Sequence, residues 1–488
     1  MERPNILFAV MDTARAKDSL PSENREVVPN LAKLADSGVE FTSAISNAPW
    51  TLPSHASMFS GQYTTEHGTN AGDMCFELDY PTLPEAVNKS GYTTVAFSNN
   101  SWISPEFGFE RGFNQFYKGW ELLSSDQGLA KIMREEDTAI DQLHSLIDTT
   151  GLKSLPVSLA NAFYTRFIRK KYDYGAYVTN LRVKRWINNE YNGKSPFFMF
   201  LNYLEPHLKY DPPKKFCEFL PEGVTVSEAK EVSQDPWGYV SGDIEMTAEE
   251  FEILESLYKS EINYLDYRIG NLLDFFSDRD ILDETLVIVI GDHGENIGEH
   301  GLMDHQYSVH DTLVHVPLVM KGPDVFTGGE RVSEPVEARD LFPTIIDATN
   351  AEMPKNESIS QNNLYETVEA SDGNERVAIS EYLVPRPAIE KLREQAPDPV
   401  TVDKYDRALR AIRMTEWKYI EGSDGTAELY DLSSDSDEST NVVSSNPEIV
   451  EELEAILFEE LGNLERGDSV DGQLEQRTQQ RLEDLGYI

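Results

Sequence analysis

Basic residues, cysteines and long apolar runs are all scarce in this sequence. Its 488 residues include 42 Lys and Arg against 86 Asp and Glu, which gives a formal charge of −44. A basic patch that binds nucleic acid or anionic lipid is therefore not expected. Two cysteines, Cys75 and Cys217, are too few for a disulfide framework and favour a reducing compartment. No run of about 18 apolar residues occurs, so we expect no membrane span.

Acidic residues are spread along the whole chain and are not confined to one tail. Such a composition resembles that of proteins from salt-in halophiles, in which concentrated cations screen the repulsion. The beginning of the sequence lacks the long apolar segment of a signal peptide. We therefore expect a soluble, cytoplasmic protein in a high-salt cytosol. With 40% hydrophobic residues, the chain can still bury a large core.

Apolar segments that end in polar residues alternate with amphipathic stretches. This pattern predicts an α/β fold in which helices cover a mainly parallel sheet. The clearest predicted strands are residues 6–11, 93–98, 197–201 and 286–290. Ligands of open α/β sheets bind at the carboxyl ends of the strands, so we expect the functional site there.

A change of pattern near residue 370 predicts two structural units. We predict a catalytic α/β domain over residues 1–370, with helical or irregular insertions at about 120–195 and 208–260. The second unit is a small C-terminal α+β subdomain over 371–465, and a polar tail follows at 466–488. Within that subdomain, residues 411–420 and 428–432 are predicted as antiparallel strands and 447–461 as an amphipathic helix.

Asp12 and Thr51 are the first two candidate functional residues. Asp12 directly follows a predicted strand and offers the fixed oxygen that a divalent cation needs, although it could equally cap a helix. Thr51 opens the segment Thr51-Leu52-Pro53-Ser54-His55, in which Pro53 suits the first position of a helix that Gly61 would end. Thr51 should therefore lie just before a helix N-terminus, where backbone N–H groups favour a deprotonated oxygen. It is a nucleophile in one interpretation and a helix cap in the other.

Histidines are concentrated in one segment. Five of the nine lie within residues 293–315, behind the motif Gly291-Asp292-His293-Gly294-Glu295. Asp292 and His293, next to each other after a strand, are candidate metal ligands. A solvated histidine loop is the alternative, above all for His310 and His315.

A further histidine follows another predicted strand. His207, in Glu205-Pro206-His207, could donate a proton to a leaving oxygen, bind a metal or be purely structural.

Together these motifs resemble the sulfatase family of the alkaline-phosphatase-like superfamily, over roughly residues 3–460. The resemblance is carried by the segments already quoted and by Arg3-Pro4-Asn5-Ile6, Gly91-Tyr92-Thr93-Thr94, Gly298-Glu299-His300-Gly301-Leu302, Asp340-Leu341-Phe342-Pro343-Thr344 and Trp417-Lys418-Tyr419. It implies a three-layer α/β/α core and metal-dependent hydrolysis of esters. It also implies a metal-ligand set of Asp12, Thr51, Asp292 and His293, which would hold Ca²⁺, Mg²⁺, Mn²⁺ or Zn²⁺.

Departures from the family pattern bear on the chemistry. Sulfatases carry Cys or Ser at the position of Thr51, and that residue is oxidised to formylglycine. Threonine cannot give this aldehyde, so no formylglycine is expected, and a plain alcohol nucleophile needs an activated water to hydrolyse its adduct. His55 replaces the family's Arg, and Ser98-Asn99 replaces its Gly-Lys pair. Ser98-Asn99 resembles the nucleotide-pyrophosphatase/phosphodiesterase branch, in which an Asn beside a Thr nucleophile binds a phosphoryl oxygen.

These observations predict a hydrolase of sulfuric or phosphoric esters, with phosphoesters slightly favoured and a small-molecule or glycan ester as substrate. Thr51 would be the nucleophile, Asn99 would stabilise charge on the phosphoryl oxygen, and His207 or His305 would transfer protons. One metal is the safer count, because Tyr203 stands where diesterases carry the Asp that would join His207 and His305 at a second cation. The alternatives are a phospho-group transferase acting on envelope glycan or lipid, and a catalytically silent anion-binding relative. The oligomeric state stays open.

Overall fold

A computed structural model describes residues 3–121, 173–369, 376–385, 389, 392–393, 396 and 400–467 of the protein. The strands within these ranges are β1 (Asn5–Met11), β2 (Val39–Ile45), β3 (Thr93–Ser98), β4 (Gln115–Lys118), β5 (Phe197–Tyr203), β6 (Thr285–Gly291), β7 (Asn296–Ile297), β8 (Met303–Asp304), β9 (His315–Lys321), β10 (Glu330–Val332), β11 (Val336–Glu337), β12 (Ala378–Tyr382), β13 (Leu409–Arg413), β14 (Trp417–Gly422) and β15 (Ala427–Asp431).

The α-helices within the same ranges are α1 (Ala16–Ser19), α2 (Pro29–Ala35), α3 (Thr51–Ser60), α4 (Thr64–His67), α5 (Leu83–Lys89), α6 (Ala176–Asn189), α7 (Val226–Ala229), α8 (Pro236–Ser241), α9 (Ala248–Ser277), α10 (Asp311–Val314), α11 (Leu341–Ala348), α12 (Leu364–Glu369), α13 (Val400–Asp403) and α14 (Pro447–Leu461). None of these helices is both long and apolar enough to cross a bilayer.

One large sheet organises the catalytic domain. Its strand order is β10-β2-β9-β6-β1-β5-β3-β4, and β11 pairs with β2. Strand β9 runs antiparallel to β2 and β6, whereas the other described pairings of this sheet are parallel. The sheet is mainly parallel, as predicted, and β1 lies near its centre between β5 and β6.

The central strand is buried on both faces because its side chains alternate between two hydrophobic cores. Phe8 belongs to the core on one face, where the rings of Phe59 and Phe200 meet edge-on at 5.0 Å. Leu7 and Met199 belong to the core on the other face. A parallel sheet with both faces apolar must be covered by helices on both sides, which produces three layers.

Helices α3 and α9 cover opposite faces of the sheet. All ten residues of α3 are buried, among them Phe59 in the first core. Helix α9 has 30 residues and begins at a capping box formed by Thr247 and Glu250. Its Asp266 carboxylate accepts hydrogen bonds from the backbone N–H groups of Asn30 and Leu31 at the start of α2. A carboxylate in this position satisfies N–H groups that have no partner within the helix.

The C-terminal subdomain is a separate antiparallel sheet, in the order β12-β13-β14-β15, with α14 packed against it. Its predicted α+β architecture is confirmed. The sheet is joined to the catalytic domain by buried charges around Asp311. The Nζ of Lys418 lies 2.6 Å from Asp311 Oδ1, and the Nε of Arg413 lies 3.0 Å from Asp311 Oδ2. Burial raises the pKa of Asp311, but Arg413 and Lys418 outweigh it and hold that pKa well below its ordinary value.

The structure refines the predicted insertions. Residues 122–172, most of the first one, lie outside the described residues, as do residues 468–488 of the predicted tail. Helix α6, at the end of that predicted insertion, is part of the helical layer, because its Val183 and Trp186 pack in the second core. The predicted insertion at 208–260 contains α7 and α8 and also the first turns of the core helix α9.

Asp311→Asn should destabilise the protein strongly. The substitution leaves buried Lys418 and Arg413 without their shared carboxylate, and breaking a buried ion pair in this way costs about 3–5 kcal/mol. Urea unfolding in molar KCl measures the loss. The control is Asp36→Asn, which removes an exposed pair with Arg25 and should cost less than about 1 kcal/mol. Equal losses for the two variants would contradict the assignment of Asp311 as the buried connection.

Candidate active site

Two carboxylates and an imidazole meet at the carboxyl ends of β1 and β6. Asp12 follows β1, and Asp292 and His293 follow β6; all three side chains are fully buried. Their potential ligand atoms lie within 4.8 Å of one another. The parallel pairing of β1 with β6 aligns Met11 with Gly291, so the two aspartates leave the sheet side by side.

Each aspartate has one oxygen engaged by the protein and one that is not. Asn100 Nδ2 donates to Asp12 Oδ2 at 2.5 Å, and the backbone N–H groups of Thr13 and His293 donate to Asp292 Oδ1 at 3.0 and 2.9 Å. Among the described residues, Asp12 Oδ1 and Asp292 Oδ2 have no hydrogen-bond partner. Two buried, unpartnered carboxylate oxygens beside an imidazole nitrogen fit a divalent cation.

The electrostatics of the two aspartates support this fit. Burial and the neighbouring Asp292 raise the pKa of Asp12 to about 8, and burial raises the pKa of Asp292 to about 7. Both shifts show that the protein alone compensates the two negative charges only in part. A bound cation would supply the missing positive charge.

His293 presents one particular nitrogen to this cluster. Its Nδ1–H donates to the carbonyl of Gly294 at 2.9 Å, which leaves the Nε2 lone pair facing the cluster. Burial lowers the pKa of His293 well below its ordinary value, so the ring is neutral. Neutral imidazole with one N–H fixed by a carbonyl is the form that binds metals.

Thr51 is the first residue of α3, whereas the sequence placed it just before the helix, and Pro53 is the third helical residue, not the first. Its Oγ1 lies 3.2 Å from His293 Nε2 and accepts from Asn100 Nδ2 at 3.3 Å. The side chain is buried and faces the carboxylate cluster from the N-terminus of a ten-residue helix. The structure therefore brings together Thr51 and the three other residues of the predicted ligand set.

His55 supplies no positive charge at the position where the resembling family has Arg. Its Nδ1–H donates to the carbonyl of Thr51 at 2.9 Å, and its Nε2 accepts from Asn202 Nδ2 at 3.3 Å. Burial lowers the pKa of His55 to about 4, so the ring is neutral near pH 7. The ring of His55 also packs edge-on against Phe200, at 5.9 Å between ring centroids.

The predicted location of Asn99 beside Thr51 differs from the structure, which places Asn100 there. The Oδ1 of Asn99 instead accepts from Thr179 Oγ1 at 3.2 Å. A Cβ at Gly119 would lie 2.0 Å from that Oδ1, so glycine is required for the close approach. Neighbouring side chains of an extended chain point to opposite sides. The amide of Asn100 therefore contacts Thr51, and the amide of Asn99 contacts Thr179.

His207 and His305 stand next to the cluster, as the sequence predicted. The rings of His293 and His305 are 4.7 Å apart and those of His305 and His207 are 5.2 Å apart, measured between centroids. The Nδ1–H of His207 donates to the Leu208 carbonyl at 2.6 Å, which leaves its Nε2 available. Burial lowers the pKa of His305, but Asp304 and Glu295 outweigh it and hold that pKa well above its ordinary value.

Other histidines of the 293–315 segment do not join the site. His300 and His310 stack on each other at 3.7 Å, and His315 Nε2 donates to the carbonyl of Thr42 at 2.8 Å. Two carboxylates that were not predicted from the sequence contact His305 Nδ1: Glu295, which ends the Gly-Asp-His-Gly-Glu motif, and Asp304, which precedes His305.

A hydroxyl beside two buried carboxylates and an imidazole, at the strand ends of an α/β sheet, is the arrangement of a metal-assisted hydrolase. The Sulfatase family profile matches residues 4–351, so this chain belongs to the Sulfatase family. Membership confirms two predictions, the family and the class of ester hydrolase. Enzymes of this family use a divalent metal, which the donor set described above fits.

Relatives of known name match nearly the whole chain. Arylsulfatase K of Xenopus laevis is 26% identical over 479 residues, which cover 93% of this chain and 81% of that protein. Choline-sulfatase of Rhizobium meliloti (strain 1021) is 24% identical over 91% of this chain and 83% of its own length.

Two solved structures show the same fold. One is a protein in complex with its substrate D-glucosamine-2-N,6-O-disulfate, with a TM-score of 0.67, 17% identity and 99% of each chain covered. The other is the phosphonate monoester hydrolase of Agrobacterium radiobacter, with a TM-score of 0.67, 18% identity, and 94% of this chain and 96% of that chain covered. These likenesses confirm the predicted alkaline-phosphatase-like α/β fold.

Asn100→Ala should lower kcat by about 10²-fold, because it removes the one amide that donates to both Asp12 and Thr51. Steady-state turnover of aryl phosphate and aryl sulfate esters measures the effect. The matched control is Thr179→Val, which removes the hydroxyl that donates to Asn99. We expect this control to stay within about threefold of wild type. A larger loss in Thr179→Val than in Asn100→Ala would instead make Asn99 the functional amide.

Proposed function

We propose that this protein hydrolyses phosphoric or sulfuric esters, with phosphoesters preferred, and that the unmodified Thr51 hydroxyl is its nucleophile. The supporting observation is the position of Thr51 Oγ1, 3.2 Å from His293 Nε2 and against a cluster that contains two unpartnered carboxylate oxygens. Asp12, Asp292 and His293, together with Thr51, would hold one divalent cation, such as Ca²⁺, Mg²⁺, Mn²⁺ or Zn²⁺.

The range of relatives is compatible with both ester classes. Their names include arylsulfatase, choline-sulfatase and phosphonate monoester hydrolase, so related sites act on tetrahedral sulfur and on tetrahedral phosphorus. The identity of residue 51 favours phosphorus here, because a threonine has no route to the formylglycine aldehyde. We therefore propose a small-molecule or glycan phosphoester as the preferred substrate.

In the first half-reaction, the Thr51 oxygen bonds to phosphorus while the bond from phosphorus to the leaving oxygen breaks in line. A divalent cation, when bound, supplies Lewis acidity that acidifies the hydroxyl and neutralises charge on the ester. The hydroxyl proton passes to solvent. Asn100 Nδ2 already donates to Thr51 Oγ1 at 3.3 Å and lies ready to stabilise the developing charge.

His207 is the proposed proton carrier. It is half-buried, and its Nε2 is available because Nδ1–H is fixed by the Leu208 carbonyl. In the first half-reaction Nε2–H protonates the leaving alkoxide. In the second, Nε2 takes a proton from water, the resulting hydroxide attacks phosphorus, and the bond from phosphorus to Thr51 breaks as Thr51 regains a proton.

Mass spectrometry should detect one phosphoryl group on Thr51 after rapid quenching of protein exposed to an aryl phosphate in molar KCl with Mn²⁺. Thr51→Ala should lose the adduct and at least about 10³-fold in kcat, because it has no nucleophile. Thr51→Ser keeps a hydroxyl at the same position and should retain both adduct and turnover.

Three results would contradict this assignment. Wild-type turnover by Thr51→Ala would exclude Thr51 as the nucleophile. Turnover of aryl sulfate alone, without a phosphoryl adduct, would show that the ester preference is wrong. Metal binding without turnover of either ester would identify a silent relative. Product analysis with and without an alcohol acceptor separates hydrolysis from group transfer.

Asp292→Asn should release the metal and abolish turnover. The change removes a negative charge from the cluster and replaces the unpartnered Oδ2 by an amide or a weaker oxygen donor. Metal content after gel filtration measures the loss. The matched control is Asp283→Asn, on the exposed turn before β6, and it should retain metal and activity. Full metal retention in Asp292→Asn would place the cation elsewhere.

A further inference from the structure

A second group of potential ligands adjoins the first. The second cluster consists of Glu295, Asp304 and His305, whose potential ligand atoms also lie within 4.8 Å of one another. His305 Nδ1 is 2.6 Å from Asp304 Oδ1 and 3.3 Å from Glu295 Oε1. Glu295 is fully buried, and the side chains of Asp304 and His305 are each 13% exposed. The donor set of two carboxylates and one imidazole is the same as in the first cluster.

One oxygen of the second cluster has no partner. Within the part of the chain that the structure describes, Glu295 Oε2 is buried and makes no hydrogen bond. The nearby guanidinium of Arg15 makes no described hydrogen bond to this oxygen: Arg15 Nη1 donates to the backbone carbonyl of Glu295 and to the carboxylate of Glu299, and Arg15 Nη2 is itself buried without a partner among the described residues. An ionised carboxylate oxygen in this situation is costly unless a ligand engages it.

The backbone holds the second cluster in place. Strands β7 and β8 form a short hairpin in which Asn296 pairs with Asp304, and Asn296 Nδ2 donates to the Asp304 carbonyl at 3.2 Å. Thr312 Oγ1 donates to Asn296 Oδ1 at 2.7 Å and ties the hairpin to the following helix. Asp304 has a positive φ of 79°, an uncommon conformation for a residue with a side chain. These contacts fix Asp304 beside His305 and Glu295 without help from a ligand.

The two clusters lie next to each other. Glu295 is two residues after His293, and the rings of His293 and His305 are 4.7 Å apart. His207 borders the second cluster on the other side of His305, at 5.2 Å between ring centroids. A group bound in the second cluster would therefore stand beside the nucleophile and beside the proposed proton carrier.

We propose that Glu295, Asp304 and His305 bind a second divalent cation, Mn²⁺ or Zn²⁺ in preference to Ca²⁺, through both carboxylates and His305 Nδ1. The mixed oxygen and nitrogen donors favour these ions over Ca²⁺, which takes oxygen ligands almost exclusively. The inference deepens the proposed function, on which it rests only for the identity of the adjoining first site. A second cation would add positive charge where a phosphoester approaches, in a site whose His55 and Asn100 are uncharged.

A bound proton is the competing occupant. A proton on His305 Nδ1 can be shared with Asp304 Oδ1 and Glu295 Oε1, and it leaves Glu295 Oε2 without a partner. A cation with four or more coordination positions can engage that oxygen as well as the imidazole. The unpartnered oxygen is thus the observation that favours the cation.

Mn²⁺ binding to the full-length protein distinguishes the two occupants. Protein is freed of metal by a chelator, transferred to molar KCl and titrated with Mn²⁺, and bound and free Mn²⁺ are counted by electron paramagnetic resonance. We expect two equivalents per chain in wild type and a spectrum broadened by coupling between neighbouring ions. Glu295→Gln and His305→Gln should each bind one equivalent with the spectrum of an isolated ion. The matched control His300→Gln, in the same histidine-rich segment but outside both clusters, should bind two.

A single equivalent in wild type would overturn the second site, and so would two equivalents in both Glu295→Gln and His305→Gln. The wild-type count decides the question even if a variant fails to fold, which circular dichroism detects. Failure of the proposed function looks different. Two equivalents without a Thr51 adduct would support the second cation and reject the nucleophile, whereas one equivalent with the adduct would do the reverse.

Discussion

The structure of the site depends on the burial of two aspartates beside each other. Asp12 and Asp292 emerge from neighbouring parallel strands at the centre of the sheet, where no solvent screens their repulsion. The protein offsets part of it through Asn100 and through the backbone N–H of Thr13, which reaches Asp292 only because Thr13 adopts a φ of 59°. This turn, the central position of β1 and the entry of α3 together form one cluster whose donor set fits a divalent cation.

The same constraint accounts for the neutral character of the surrounding residues. His55 occupies a position where an arginine would add positive charge, yet its pKa of about 4 keeps it uncharged near neutral pH. Its two ring nitrogens are used to hold Thr51 and Asn202, so it positions the helix N-terminus and supplies no charge. Asn100 likewise contributes a dipole and no net charge. Under the proposed function, positive charge for an anionic ester would come from a bound cation and from His305, whose pKa is held well above its ordinary value by Asp304 and Glu295 against the effect of burial.

The sequence predicted well what depends on local pattern. The strands of the large sheet, the C-terminal helix at 447–461 and the residues at the ends of β1 and β6 follow from periodicity and motif position. The predicted strand 411–420 is wrong in extent, because the chain turns back within it and forms β13 and β14. Asn99 was the predicted amide, whereas the structure places Asn100 beside Thr51; the placement depends on the side from which each residue leaves the chain after β3, and two adjacent asparagines give no signal for that side. Glu295 and Asp304 were missed because a hairpin brings them together across nine residues. The halophilic and cytoplasmic interpretations stay predictions.

Residues 293–305 form one continuous segment that carries donors of both candidate metal clusters. His293 belongs to the first cluster and Glu295 to the second, and the β7–β8 hairpin returns His305 to 4.7 Å from His293, measured between ring centroids. The virtual Cβ of Gly294, between the two ligands, would lie 2.1 Å from the Thr312 carbonyl, so the backbone is pressed against its neighbour and has little freedom to shift. A displacement of this segment would therefore move donors in both clusters at once.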